Sequence, residues 1–311
     1  MSAEAGRRGS SAGCPSWLCD CELNRQFFTP KTPLQKGDWL SGPGRVERSG
    51  QSFEQFQRQH QPRRRATEER KTIVLVPVGD CDSIDSSALA AFVQAWFGLP
   101  VVLMDSVAIS QLTKPKPRQS EFGEQILTTS ITDYLVRHCK PQAAFCTMAF
   151  TMTDLYPDPK WNFVFGIADP SVRVGCFSFA RYVGTPGKSL LWRSCATLVH
   201  ELGHLFDVAH CVYYQCVMNG ANHLQESDES PLHLCPVDER KLLEALAGVP
   251  SAMQSGRARY DRLLAFFDSA CNTFAAEAAW TRARIAACDA VAQPQDSSWR
   301  GRSGAARGWA G

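Results

Sequence analysis

The chain has 311 residues, 44% of them hydrophobic, which is enough to bury a sizeable core in one or two domains. Its 33 basic and 31 acidic residues leave a formal charge of +2, and no basic stripe interleaved with aromatics occurs, which argues against a general nucleic-acid binder. The N-terminus lacks the apolar stretch of a secretory signal, and the greasiest run, 88–104, is broken by Gln94 and Pro100, so no membrane span is expected.

Thirteen cysteines is an odd number, and without a secretory signal they read as thiols or metal ligands rather than a disulfide framework. The expectation is a soluble protein of the cytoplasm, with the nucleus as a second compartment.

Residues 1–65 are rich in Gly, Ser, Pro, Gln and Arg, with aromatic islands at Trp39 and at Phe53 and Phe56. They are expected to form an extended, largely disordered arm that docks through those aromatics. The charged run at 63–71 reads as a solvated linker, with a localisation signal as its alternative. The ordered domain is expected over 66–290.

Within it, residues 72–78 read as a buried strand. Residues 83–98 read as a helix capped by Asp82 or Ser83 and stopped by Gly98. Residues 100–107 read as a second strand, and the strand–helix–strand order favours a parallel pair. Ile126, Ile131, Leu135 and Cys139 recur at about helical spacing, which places them on a second helix. Three strand candidates follow at 143–151, 162–168 and 175–182. Ser189 is a candidate cap for the helix that carries His200. Leu263, Leu264, Phe267, Cys271 and Phe274 form an apolar stripe on a late helix, read as packing surface. Residues 291–311 are expected to be a disordered tail.

The chemistry concentrates in HELGHLFDVAHC, residues 200–211. On a helix, His200 and His204 lie on one face a turn apart, and two imidazoles so placed can together bind one Zn²⁺, each at about 2.0–2.1 Å. Glu201 is rotated by about 100° from His200, beside the metal, where its carboxylate can take a proton from a metal-activated water. His210 closes the site if the helix ends soon after Phe206. Cys211, Cys216 and Cys235 suggest a second, structural zinc, against the alternative of buried free thiols. Cys14, Cys19 and Cys21 read as plain thiols on the disordered arm, with metal binding as the alternative.

These residues resemble the archaemetzincins, a zinc metallopeptidase family of the metzincin group. The family pattern is HExxHxxGxxHC, then a cysteine after four residues, a methionine two further on, and a distal CxxC. Here it reads His200, Glu201, His204, His210, Cys211, Cys216, Met218 and Cys235, and the resemblance spans about 72–246. It implies a mixed α/β fold of metzincin type: a mixed sheet backed by helices, an active-site helix under the cleft, and an edge strand above it. The candidate edge strand is 175–182, to which an extended peptide could add by strand pairing.

The resemblance also implies Met218 in the turn beneath the metal and a peptide or protein substrate, some members having an aminopeptidase-like preference. No nucleic-acid or membrane partner is expected, and the chain is expected to be a monomer. The implied mechanism has a catalytic zinc on His200, His204 and His210, with Glu201 as general base. The rival reading is a zinc-stabilised peptide-binding or scaffold protein with little turnover. Tyr182 and His223 are the two candidates for an oxyanion partner.

Two positions depart from the pattern. Asp207 stands for the glycine, where aspartate tolerates positive φ at a cost of about 1 kcal/mol. Asp238 stands for the last cysteine; it is the leading fourth ligand of the second zinc, with His233, a water or no second metal as alternatives.

Overall fold

The structure, a computed structural model, describes residues 21–32, 35–41, 49–60, 64–252 and 256–292. The expectations for 1–20 and 293–311, Cys14 and Cys19 among them, fall outside the described residues. In chain order the elements begin with α1 (Cys21–Phe27), α2 (Phe53–Gln59), β1 (Thr72–Val78), α3 (Ser86–Phe97) and β2 (Val101–Leu103). Next come β3 (Arg118–Ser120), β4 (Gly123–Leu127), α4 (Thr128–His138), β5 (Ala144–Thr151) and β6 (Asp154–Tyr156). Then follow β7 (Gly166–Asp169), β8 (Val174–Ser178), α5 (Leu190–Leu205), α6 (Leu224–Glu229), α7 (Pro236–Ala245), α8 (Gly256–Ser269) and α9 (Cys271–Ala292).

The class is mixed α/β. The main sheet runs β2-β1-β5-β8-β7, its first four strands parallel and β7 antiparallel to β8. Both faces are covered, which is why β1 reads as an unbroken apolar run rather than an alternating one. Ile73 and Leu75 point into a large core with α3, α5 and α8, while Val74, Val76 and Val78 point into a smaller one with Ile131 and Leu135 of α4. The first strand–helix–strand unit has the expected parallel pair, Ile73 opposite Val101.

Several local expectations shift. The cap of α3 is Asp85, whose side chain accepts the Ala88 N–H at 2.9 Å, because 81–84 make a separate turn; Gly98 ends the helix at φ +67°. Helix α4 begins at Thr128, so Ile126 belongs to β4 and Cys139 is the C-cap. Strands β3, β4 and β6 form a second, three-stranded sheet that the apolar pattern does not announce.

The expected edge strand, 175–182, is corrected. All of β8 is buried and it pairs on both sides, with β5 and β7, before the chain leaves in a 3₁₀ turn at Ala180–Tyr182. The edge is β7, half-buried and hydrogen-bonded on one side.

Within 1–65, expected as an extended arm, the described residues form two helices and join the main core through Phe28, Phe53 and Phe56. A reciprocal cap makes α2 a helix: Ser52 Oγ accepts the Gln55 N–H at 3.1 Å, and the Gln55 side chain accepts the Ser52 N–H at 2.7 Å.

Candidate active site

Helix α5 starts where expected, with Ser189 Oγ accepting the Trp192 N–H at 3.2 Å. It carries His200 and His204 to the floor of a cleft and ends at Phe206. Asp207 then takes the left-handed conformation, φ +66°, and the chain folds back to bring in His210. One nitrogen from each of the three imidazoles lies within 4.8 Å of the others.

Two of the rings are fixed by backbone carbonyls. His200 Nδ1 meets Val217 O at 2.8 Å and His204 Nδ1 meets Val208 O at 2.7 Å. A carbonyl only accepts, so each Nδ1 carries the proton and each Nε2 keeps its lone pair for a metal. The two Nε2 atoms are 3.1 Å apart, close to the ~3.3 Å between two nitrogens on tetrahedral zinc. Burial lowers the pKa of His200, and takes His204 down to about 3, so both rings are neutral at physiological pH. Neutral imidazoles converging in this way suit Zn²⁺.

Glu201 is buried beside the histidines, and desolvation pushes its carboxyl up to about 8. Its carboxylate lies against the backbone of Gly166 on β7: a Cβ there would stand 2.7 Å from Oε1. Below, the Met218 sulfur packs under α5, 2.5 Å from where a Cβ on Gly203 would sit. The cleft beside Glu201 has a volume of about 510 Å³, walled by 161–166, Tyr182, Val217 and Trp39. A second hollow, about 740 Å³, opens on the other side of His204 and His210, between Gln51, Gln55, Arg64 and Ala168. Of the two oxyanion candidates, Tyr182 lines the cleft, with its hydroxyl on Thr197 Oγ1 at 2.6 Å. His223 instead faces Asp38 Oδ1 at 3.0 Å.

A second cluster is completely enclosed. Cys211, Cys216, Cys235 and Asp238 are all buried and present ligand atoms within 4.8 Å of one another. Cys211 and Cys235 sulfurs are 3.6 Å apart, and Asp238 Oδ2 lies 3.4 Å from Cys216 and 3.6 Å from Cys235. Tetrahedral zinc at ordinary bond lengths needs S···S of about 3.8 Å and S···O of about 3.5 Å. The donors fit. Burial drives the Cys216 and Cys235 thiols and the Asp238 carboxyl upward, the last to about 7, so a cation is what lets the set ionise together. Lys241, also fully buried, donates to Asp238 Oδ1 at 2.8 Å, leaving Oδ2 to face the thiols. His233 is not in the cluster; it stacks on Trp280 with ring centroids 4.1 Å apart.

The pattern of histidines and cysteines pointed to both clusters. It did not point to Trp39, Gly166, Lys241 or the cations around Asp207, since none belongs to a spaced motif; the aromatic island at Trp39 was the one signal available.

Comparison with known proteins bears on the same region. The model of Peptidase family M54 matches residues 132–243. Archaemetzincin-2 of Rattus norvegicus is 36% identical over 261 residues, covering 71% of each chain. Archaemetzincin-2 of Homo sapiens is 34% identical over 256 residues, covering 70% of this chain and 69% of its own. Among solved structures, the archaemetzincin of Methanopyrus kandleri is 29% identical, covers 57% of this chain and 96% of its own, and superposes with a TM-score of 0.47.

Proposed function

The chain belongs to the archaemetzincin family of zinc metallopeptidases, and from that premise we propose that it hydrolyses peptide bonds at the cleft of His200, His204 and His210, with Glu201 as general base. The observation that carries this is the carbonyl-fixed pair of imidazoles on α5, with a buried carboxylate one residue from the first. Zinc, when bound there, supplies a Lewis acid that polarises the scissile carbonyl and lowers the pKa of a water. The three imidazoles hold that ion without charge of their own. Glu201, buried one residue from His200, takes the proton from the attacking water and passes it to the leaving amine. The free edge of β7, just above Glu201, offers backbone groups on which an extended peptide can pair, and the two hollows continue that path on either side. Cys211, Cys216, Cys235 and Asp238 hold a second, structural zinc.

Asp207 and Asp238, the departures that motivate the scaffold reading, each have cationic partners, in Arg64 and Lys241. Both substitutions are thereby compatible with turnover. The test is a pair of variants. Glu201→Gln is expected to keep the catalytic zinc by elemental analysis while peptide hydrolysis falls by at least ~10²-fold. His204→Ala is expected to lose that zinc and the activity together. Hydrolysis by Glu201→Gln at the wild-type rate would sink the mechanism.

A further inference from the structure

Resting on that reading of the three histidines, we propose that Trp39 belongs to the active site. It positions His210 and forms one wall of a cleft pocket that takes a bulky apolar side chain of the peptide.

The ring of Trp39 meets the His210 imidazole edge-on, with centroids 5.0 Å apart at 69°. It also lies against Gly220, where a Cβ would stand 2.6 Å from Cδ2 and Cε2. His210 follows a turn rather than riding on α5, and Trp39 packs on its ring from one side while His200 and His204 meet it from the cleft.

The backbone of Trp39 is itself held. The buried Glu226 carboxylate accepts the Trp39 N–H through both oxygens, at 2.9 and 3.0 Å, and the Asn222 N–H at 2.8 Å. Asp38 accepts from His223 Nε2 at 3.0 Å and from the Gln35 N–H at 2.8 Å. Asp38, His223 and Glu226 are close enough to suggest another metal site. The hydrogen bonds argue otherwise: His223 Nδ1 accepts the Glu226 N–H at 3.2 Å. Its Nε2 therefore carries the proton given to Asp38 and has no lone pair for a cation. The cluster is a latch that fixes Trp39 over the cleft.

The pocket so closed is aromatic on several sides. Trp39, Trp161, Phe163, Phe165 and Tyr182 line it together with Val217 and Glu201, alongside the polar side chains of Asn162, Asn219, Asn222, Ser227 and Ser230. A large apolar or aromatic side chain next to the scissile bond is what such walls bind.

The experiment compares wild type, Trp39→Phe, Trp39→Ala and His223→Ser, the last keeping a helix cap but cutting the Asp38 bond. Zinc affinity is read by chelator competition, and side-chain preference with a fluorogenic peptide library. Trp39→Ala is expected to weaken the catalytic zinc by about 3- to 10-fold, the scale of one aromatic edge contact. Its preference for large apolar residues over alanine should fall by about 10-fold. Trp39→Phe should stay within about twofold of wild type, and His223→Ser should shift both readouts in the direction of Trp39→Ala. If Trp39→Ala does not fold, His223→Ser decides, and wild-type behaviour from it overturns the proposal. Trp39→Ala with wild-type zinc affinity and preference overturns this inference alone. A wild-type protein with no zinc at the three histidines overturns both this inference and the reading beneath it.

Discussion

Asp207 shows how a single side chain can reverse a conformational argument. Its φ of +66° is strained for any residue but glycine, so backbone considerations alone favour Asp207→Gly by about 1 kcal/mol. Yet the carboxylate accepts from His60 Nδ1 at 2.6 Å, Arg64 Nη2 at 2.6 Å and Arg173 Nη2 at 3.1 Å. Burial would raise its pKa, but His60, Arg64 and Arg173 outweigh that and hold it down at about 2. Each charge-assisted bond to a buried carboxylate is worth about 1.5–3 kcal/mol. Asp207→Gly is therefore expected to lower stability to urea by about 1–3 kcal/mol net, while the catalytic zinc is retained. An unchanged or improved midpoint would show that the cations contribute nothing. The left-handed turn was legible in the sequence, because Asp207 occupies a position where the pattern has glycine. Its partners were not, since Arg64 lies 143 residues upstream and no periodicity links the two.

At the scale of elements, the catalytic carboxylate is placed by a strand as much as by its own helix. Residue Gly166 of β7 leaves the space that Glu201 fills, with a Cβ there standing 2.7 to 2.9 Å from three atoms of the Glu201 side chain. Gly166→Ala should therefore push the carboxylate aside without touching any histidine. The expected outcome is a loss of kcat/KM of about 10- to 100-fold, the cost of a misplacement near 1 Å, with catalytic zinc unchanged by elemental analysis. Full activity in Gly166→Ala would show that Glu201 has room to relax. The strand was recognisable at 162–168, but its edge role was assigned to the following strand. Apolar runs report burial, whereas being at an edge depends on which partner is missing, and both segments carry apolar runs, so the pattern does not say which of them lacks a neighbour. Strands β3, β4 and β6 escaped for a related reason. They are three to five residues long and include Arg118, Gln119, Ser120 and Asp154, so neither length nor alternation marks them.

For the molecule as a whole, the two clusters are mechanically one structure. Cys211 adjoins His210, and Cys216 adjoins Val217, whose carbonyl fixes the His200 ring. The Cys211 N–H donates to Met218 O at 2.7 Å, and Asn219 Nδ2 donates to Cys211 O at 2.9 Å, so the loop beneath the histidines is tied to the same cysteines. Cys235 and Asp238, at the start of α7, complete the site and connect that loop to the main core. A zinc on these four ligands would carry two net negative charges, and Lys241 offsets one of them inside the protein. Wild-type protein is accordingly expected to hold two zinc ions per chain, released by chelator in two steps, with the cleft ion leaving first because its ligands are only half-buried. Cys235→Ser should lose the enclosed ion and about 3–5 kcal/mol of stability, a fall in Tm of roughly 10 °C. It should also weaken the cleft zinc, because His210 and Val217 then lose their anchor, and activity should return in part when excess zinc is supplied. One zinc per chain, with Tm indifferent to Cys235→Ser, would mean that the cysteines are buried thiols and that the cleft stands without them.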